Sequence, residues 1–343
     1  MSAATRSECK LSAVPLPGLL IDTDTASDDA VALVMAAAAA AAGRIRLHAV
    51  TTVAGNVPLA RTTRNALVTL ELAGAGSVPV HEGCDRPVVR EAATAQHVHG
   101  PDGMSDTELP DSVAAAADGH AVDVLLRAAR ERGHELTLVT LGPLTNVAAA
   151  LLRDRELLQR FRHTYCMAGS ADAVGNISST AEFNVWADPE ATAVVLAAAT
   201  PASVTLVGWD ASRRDAVLDA ETQEQLRQLG TPLAWFADRI NRAVEHWART
   251  VTGLPGYDLP DPLAMAVALR PDLVTDAETA SVRVVLGDEA RGQLLVDRRH
   301  LAAAPNVTLV RRVNADGFRA LLLEACATTP GTAERLRPVM GVA

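Results

Sequence analysis

Four carboxylates, Asp22, Asp24, Asp28 and Asp29, fall within eight residues in the stretch Leu19–Ala30, LLIDTDTASDDA. An apolar run precedes them and a helix-forming run follows. Like charges this close repel and hold one another's protons on, unless a cation or a polyhydroxylated ligand shares the site. Gly18 to Ile21 reads as a short buried strand and Ala30 onward as a buried helix. Asp22 and Asp24 then sit at the strand's carboxyl end. Asp28 and Asp29 open the helix, where capping and the helix dipole both favour negative charge. Capping accounts for one or two of the four, not for the pair before the turn. An EF-hand loop counted from Asp22 fails at its sixth position, Ser27 in place of Gly, and at its twelfth, Leu33 in place of Glu. Hard oxygen donors without nearby Cys or His point to Ca²⁺ or Mg²⁺ rather than zinc.

The chain of 343 residues carries a formal charge of −10 and is 49% hydrophobic, enough for a large core. No Lys/Arg cluster suited to a phosphate backbone occurs, so nucleic acid is an unsuitable partner and a neutral small molecule a suitable one. Cys9, Cys84, Cys166 and Cys326 are scattered without a C-x-x-C pair, which fits incidental thiols in a reducing cytoplasm. Residues 1–17 lack the apolar core of a signal peptide and read as a loose tail, with 18–343 forming one domain. The longest apolar stretch, Ala30 to Ala42, falls short of the ~20 residues a bilayer demands.

Along the chain, helix and strand patterns alternate. Helices are expected over Asp28–Ala42, Val57–Leu72, Ala121–Arg132, from Pro143, over Pro189–Ala199, Ala220–Leu229 and Leu233–Thr250, and from Asp261. Strands are expected over Arg44–Thr52, Val78–His81, Leu136–Leu141, His163–Met167, Val204–Val207, Ser281–Leu286 and Val307–Val313. The Ala-rich tracts Ala36–Ala42 and Ala114–Ala117 read as helix-favouring composition. Such alternation predicts an α/β, Rossmann-like single domain, a mainly parallel sheet with helices on both faces and ligands beyond the strand carboxyl ends. The segment His81–Asp111 is too long and irregular to be a mere connector.

Several later motifs carry polar groups toward that same edge. Thr51-Thr52-Val53-Ala54-Gly55-Asn56 leaves the second strand through a glycine and aims Asn56 at Asp24 and Asp29, although a plain turn explains it as well. His97 and His99, in an extended chain, would point the same way as a metal pair, but a surface His pair is the simpler reading. Pro143 fits a first helical position with no function attached, and Asp261-Pro262 fits a helix cap. Glu182 between Asn176 and Asn184, in apolar surroundings, suits the paired donors and acceptors of sugar hydroxyls.

An N-terminal strand ending in D-x-D-x-x-x-D-D resembles the signature of the nucleoside hydrolases, the inosine-uridine preferring nucleoside N-ribohydrolases, with Thr25-Ala26 where Pro-Gly is commonest. The later motifs are similar to that family's in the same order, from about Leu19 to Pro271. The resemblance implies a Ca²⁺ held by Asp24, Asp29, Asp261 and the Leu141 carbonyl. Asp24 would be the base for an attacking water, with Asp28, Asn56, His99, Met167, Asn176, Glu182 and Asn184 on the ribose. It implies hydrolysis of ribonucleosides to ribose and free base, a role in nucleobase salvage, and a homodimer or homotetramer. Pro260 stands where many members carry the His that protonates the leaving base. His246 is therefore expected as the substitute acid and Trp247 or Tyr257 as the base-stacking group, while Trp235 and Phe236 read as packing. A riboside-binding sensor without turnover and a hydrolase of modified ribosides remain open alternatives.

Overall fold

The computed structural model describes residues 17–340. The expected tail, with Cys9, lies outside the described residues apart from Pro17. Eleven strands form in chain order: β1 Gly18–Thr23, β2 Arg46–Thr52, β3 Val80–Glu82, β4 Leu136–Thr140, β5 His163–Met167, β6 Val204–Val207, β7 Val217–Leu218, β8 Tyr257–Asp258, β9 Val274–Val284, β10 Leu294–Asp297 and β11 Val307–Val313. Nine of them make one sheet in the order β10-β9-β11-β6-β5-β4-β1-β2-β3, and β7 pairs with β8 separately. Every pairing from β11 across to β3 is parallel, and only β9, paired with β11 on one side and β10 on the other, runs antiparallel to its neighbours.

After β1 the chain builds outward through β2 and β3, then returns to place β4 on β1's other side. That reversal opens a crevice beyond the carboxyl ends of β1 and β4, the place where open parallel sheets bind ligands. Asp22 lies level with Thr51 on β2 and Thr140 on β4, so the acidic stretch leaves the sheet at this crevice.

Helix Ser27–Ala41 is buried along its length to Ala39 and stops at Gly43, whose φ of 68° favours a glycine. It packs on helix Pro260–Leu269. Both contact faces are rich in Ala, which lets the two axes approach closely and brings Asp28 and Asp29 near Asp261. The alanines of the first helix thus do more than favour helix formation.

Some expected elements differ. Ala114–Ala117 is not helical: four alanines between Pro110 and Gly119 are too few to nucleate a helix, and Glu71 draws the chain away by accepting from Ser112 Oγ at 2.7 Å and Val113 N at 2.8 Å. The single helix expected over Leu233–Thr250 is two, Pro232–Ile240 and Arg242–Val251, broken at Asn241. Gln96–His99 is a helical turn rather than extended chain, so His97 and His99 diverge: His97 is exposed and His99 buried. Helix Ala315–Cys326, closing the sheet after β11, had no counterpart in the sequence reading. Among the described residues no helix is long and apolar enough to cross a membrane.

Candidate active site

Asp22 is held from behind the crevice. Thr51 Oγ1 donates to its Oδ1 at 2.5 Å and Asn146 Nδ2 at 2.8 Å, while burial pushes the carboxyl up to about 6. Asp24, one turn of the pleat further, accepts from the Asn56 backbone N–H at 2.7 Å through Oδ2. Its Oδ1 is buried without a hydrogen bond. The glycines that end the neighbouring strands, Gly55 and Gly142, abut this carboxylate; a Cβ on Gly142 would stand 2.6 Å from Asp24 Oδ1. Both are glycine because backbone must pass directly over a buried anion.

Asp29 accepts from Thr23 Oγ1 at 2.5 Å, Ala26 N at 3.0 Å and Asn56 Nδ2 at 3.3 Å. Ligating oxygens of Asp28, Asp29 and Asp261 lie within 4.8 Å of one another. Burial, compounded by mutual repulsion, raises all of these carboxyls, Asp29 to about 6 and Asp24 and Asp261 far above the usual range. Asp28 also rises to about 6, chiefly through burial, with Asp258 adding repulsion. Orphaned oxygens on Asp22, Asp24 and Asp28 complete the case: a cation fits here, and a hard one, because every donor is oxygen. The tight group contains Asp28, expected on the sugar, and does not contain Asp24.

Above these carboxylates opens a cavity of about 620 Å³ including its mouth. One wall comes from β4 and β5 and the loop after them. Asn184 Nδ2 donates to the Leu141 carbonyl at 2.7 Å and to Met167 O at 3.2 Å, fixing both against the cavity. Leu141 O keeps a second lone pair for another partner. Glu182 caps the helix Phe183–Ala187, accepting from Asn184 N at 2.7 Å and Gly169 N at 2.8 Å, yet burial still lifts it to about 7. Asn176 Oδ1 accepts from Phe183 N at 2.8 Å, which leaves its amide N–H groups to face the cavity it lines. Asn56 and His99 line the opposite side. His99 Nδ1 lies 2.8 Å from Ser27 Oγ, and burial depresses its pKa to about 4, so it is neutral and engaged within the protein rather than paired with His97.

Two expected residues do not reach the cavity. His246 is exposed: on helix Arg242–Val251 the inward face is Val244, Trp247 and Ala248, and the side chain between them points to solvent. Tyr257 is 2% exposed and belongs to the core, because alternation along β8 turns Tyr257 inward and presents Asp258 to the cavity instead. Trp247 does line the cavity, and Phe236 is fully buried as packing. Trp209 and Asp258 are wall residues that sequence reading missed. Trp209 follows β6 by two residues, and the rule that ligands gather beyond strand carboxyl ends would have flagged it.

The model of the inosine-uridine preferring nucleoside hydrolases matches residues 19–320. The chain belongs to that family. The hydrolase is 35% identical over 311 residues to the pyrimidine-specific ribonucleoside hydrolase RihA of Photobacterium profundum, covering 90% of this chain and 98% of the relative. It is equally similar, 35% over 322 residues, to the uncharacterized protein C1683.06c of Schizosaccharomyces pombe, covering 91% and 99%. Among solved structures it is similar to a plant nucleoside hydrolase, with TM-score 0.84, 28% identity and coverage of 92% and 100%. It is also similar to the purine-preferring ribonucleoside hydrolase from Gardnerella vaginalis, with TM-score 0.83, 28% identity and coverage of 92% and 99%. The hydrolase is therefore a nucleoside N-ribohydrolase, an N-glycosyl hydrolase, and the parallel-sheet fold expected from the alternating pattern is the family's fold.

Proposed function

We propose that the hydrolase cleaves the N-glycosidic bond of ribonucleosides with a Ca²⁺ at the acidic floor of the cavity. The observation that carries this is the juxtaposition of a buried carboxylate cluster with orphaned oxygens and a wall of amides suited to sugar hydroxyls. Asp24, Asp29, Asp261 and the Leu141 carbonyl would hold the ion, with Asp28 close enough to join them. When bound, the ion orients a water and makes it more acidic. Asp24, with its free Oδ1, accepts the proton of that water as it adds to the anomeric carbon. Asn176 offers its amide N–H groups to ribose hydroxyl oxygens, and Asn56 and Asn184 fix neighbouring positions. Glu182 and Asp28 accept from the hydroxyls. Attack by water without a covalent sugar intermediate gives inversion in outline.

A ribose-release assay across inosine, adenosine, guanosine, uridine and cytidine, each beside its 2′-deoxy analogue, tests this reading. Turnover confined to ribosides supports the sugar contacts. Equal turnover of deoxyribosides, or none of any nucleoside, overturns it. The free thiols Cys84, Cys166 and Cys326 support a reducing, cytoplasmic setting. A homodimer or homotetramer is expected from the family, which light scattering on the purified chain would read.

A further inference from the structure

Departure of a nucleobase anion is slow unless its nitrogen or oxygen is protonated as the C–N bond breaks. The cavity wall carries few groups able to do this. Glu182 serves backbone N–H groups and the ribose hydroxyls, His99 is engaged with Ser27, and Asp28 and Asp261 belong to the carboxylate floor. His97 stands exposed at the mouth. Asp258 remains. It is 5% exposed and lines the cavity from β8, close to Trp209 and Trp247.

Asp258 is a built site rather than an incidental side chain. Ser212 Oγ lies 2.5 Å from its Oδ2 and 3.0 Å from the Trp209 carbonyl. A hydroxyl has one hydrogen, which can serve only one of these acceptors. With that hydrogen on Oδ2, a proton on the carboxyl resides on Oδ1. With it on the Trp209 carbonyl, the contact of 2.5 Å is made by Asp258 donating to Ser212. Both arrangements accommodate a neutral carboxylic acid. Burial favours that form and raises the group to about 6, outweighing the Ser212 hydrogen bond, Arg213 above the Trp209 ring and the Trp209 side chain, which favour the anion.

We propose that Asp258, held by Ser212, is the catalytic residue that protonates the departing base. As water adds to the anomeric carbon and yields its proton to Asp24, the C–N electron pair passes to the base, which takes the Asp258 proton. Proton return from Asp24 through solvent restores both carboxyls, so one water is consumed per nucleoside. The proposal rests on the nucleoside-hydrolysis reading above.

The test compares Asp258→Asn with wild type on inosine or uridine and on p-nitrophenyl riboside, whose phenolate leaves without a proton. A loss of ~10²-fold or more in kcat on the nucleoside, within about threefold of wild type on the nitrophenyl riboside, is expected. Equal losses on both substrates, or no loss on either, overturn the proposal. So does the same differential appearing in His97→Ala instead. Should Asp258→Asn not fold, Ser212→Ala keeps the comparison: a selective loss on the nucleoside, smaller than for Asp258→Asn, supports the pair, and an unselective one overturns it. Wild type inactive on both substrates would instead overturn the underlying nucleoside-hydrolase reading, so the two failures are distinct.

Discussion

Removing the cation should turn the acidic floor into a pH-dependent liability, and Asp28→Asn isolates one member of it. In the metal-free protein the Asp28 carboxyl sits at about 6 against an ordinary 3.8, mainly through burial. A raised carboxyl makes the native state bind more protons than the unfolded one between those values, so stability falls as pH rises. Its contribution is intact below 3.8 and lost as pH climbs through about 6. Integrated for this one group, the penalty is small at pH 4 and ~3 kcal/mol at pH 7. Asparagine carries no such charge. Chelated Asp28→Asn should therefore gain ~2 kcal/mol on chelated wild type between pH 4 and pH 7. With an unfolding entropy of ~2.1 cal/mol/K per residue over 343 residues, the gain is about 3 °C in Tm. Adding Ca²⁺ at pH 7 should reverse the order, because wild type then has a full anionic shell for the ion. Differential scanning calorimetry in EDTA and in Ca²⁺ across pH 4–7 reads both effects. Parallel Tm curves in EDTA, or a variant that falls further behind as pH rises, would refute the reasoning.

Gly142→Ala should cost about 1–3 kcal/mol in stability by overpacking, because its Cβ would press on Asp24 Oδ1 at 2.6 Å; urea unfolding and Ca²⁺ affinity should both drop, and an unchanged affinity counts against Asp24 as a ligand. Asn184→Ala leaves the Leu141 and Met167 carbonyls without their shared donor and should destabilise by about 1–3 kcal/mol while raising KM for ribosides; a normal KM removes Asn184 from the sugar site. Trp247→Ala should raise KM roughly tenfold, the order of one lost aromatic contact, with base preference altered; identical kinetics on all five nucleosides would deny it a wall position. His99, depressed to about 4 by burial, should show no imidazole titration by NMR between pH 5 and pH 8, and a midpoint near 6.5 would contradict its burial.

The parts of the site legible in the sequence are those whose position follows from local chain geometry. Asp22, Asp24, Asp28 and Asp29 are tied to a strand end and a helix start, so placing the two elements places the charges. Gly142 and Asn56 leave neighbouring strands at the same edge, and parallel pairing of β1 with β2 and β4 is enough to gather them. Asn176, Glu182 and Asn184 required no more than one loop reaching over β5. The late antiparallel edge was less visible, because β9 is largely exposed and its alternation is broken by charged residues. Helix Ala315–Cys326 was missed for a different reason: Gly317 lies in its first turn, and its weak apolar pattern depends on the core it covers.

What the sequence could not settle was which of two adjacent side chains faces the ligand. His246 and Trp247 are neighbours on a helix, and a rotation of about 100° per residue decides that Trp247 meets the cavity while His246 meets solvent. Tyr257 and Asp258 are neighbours on a strand, where alternation gives the choice to Asp258. Of the first pair both members are expected at the base and only Trp247 lines the cavity; of the second Tyr257 is expected and Asp258 lines it, because aromatic and imidazole character carries no information on the phase of the element. That phase is set at a distance. Asn241 breaks the preceding helix and resets the rotation of Arg242–Val251, and pairing with Val217 and Leu218 fixes the face of β8. Pro260 then continues the wall with no proton to give, so the chain's own geometry moves the acid function two residues upstream, onto a carboxyl that a hydroxyl from a separate helix holds in place.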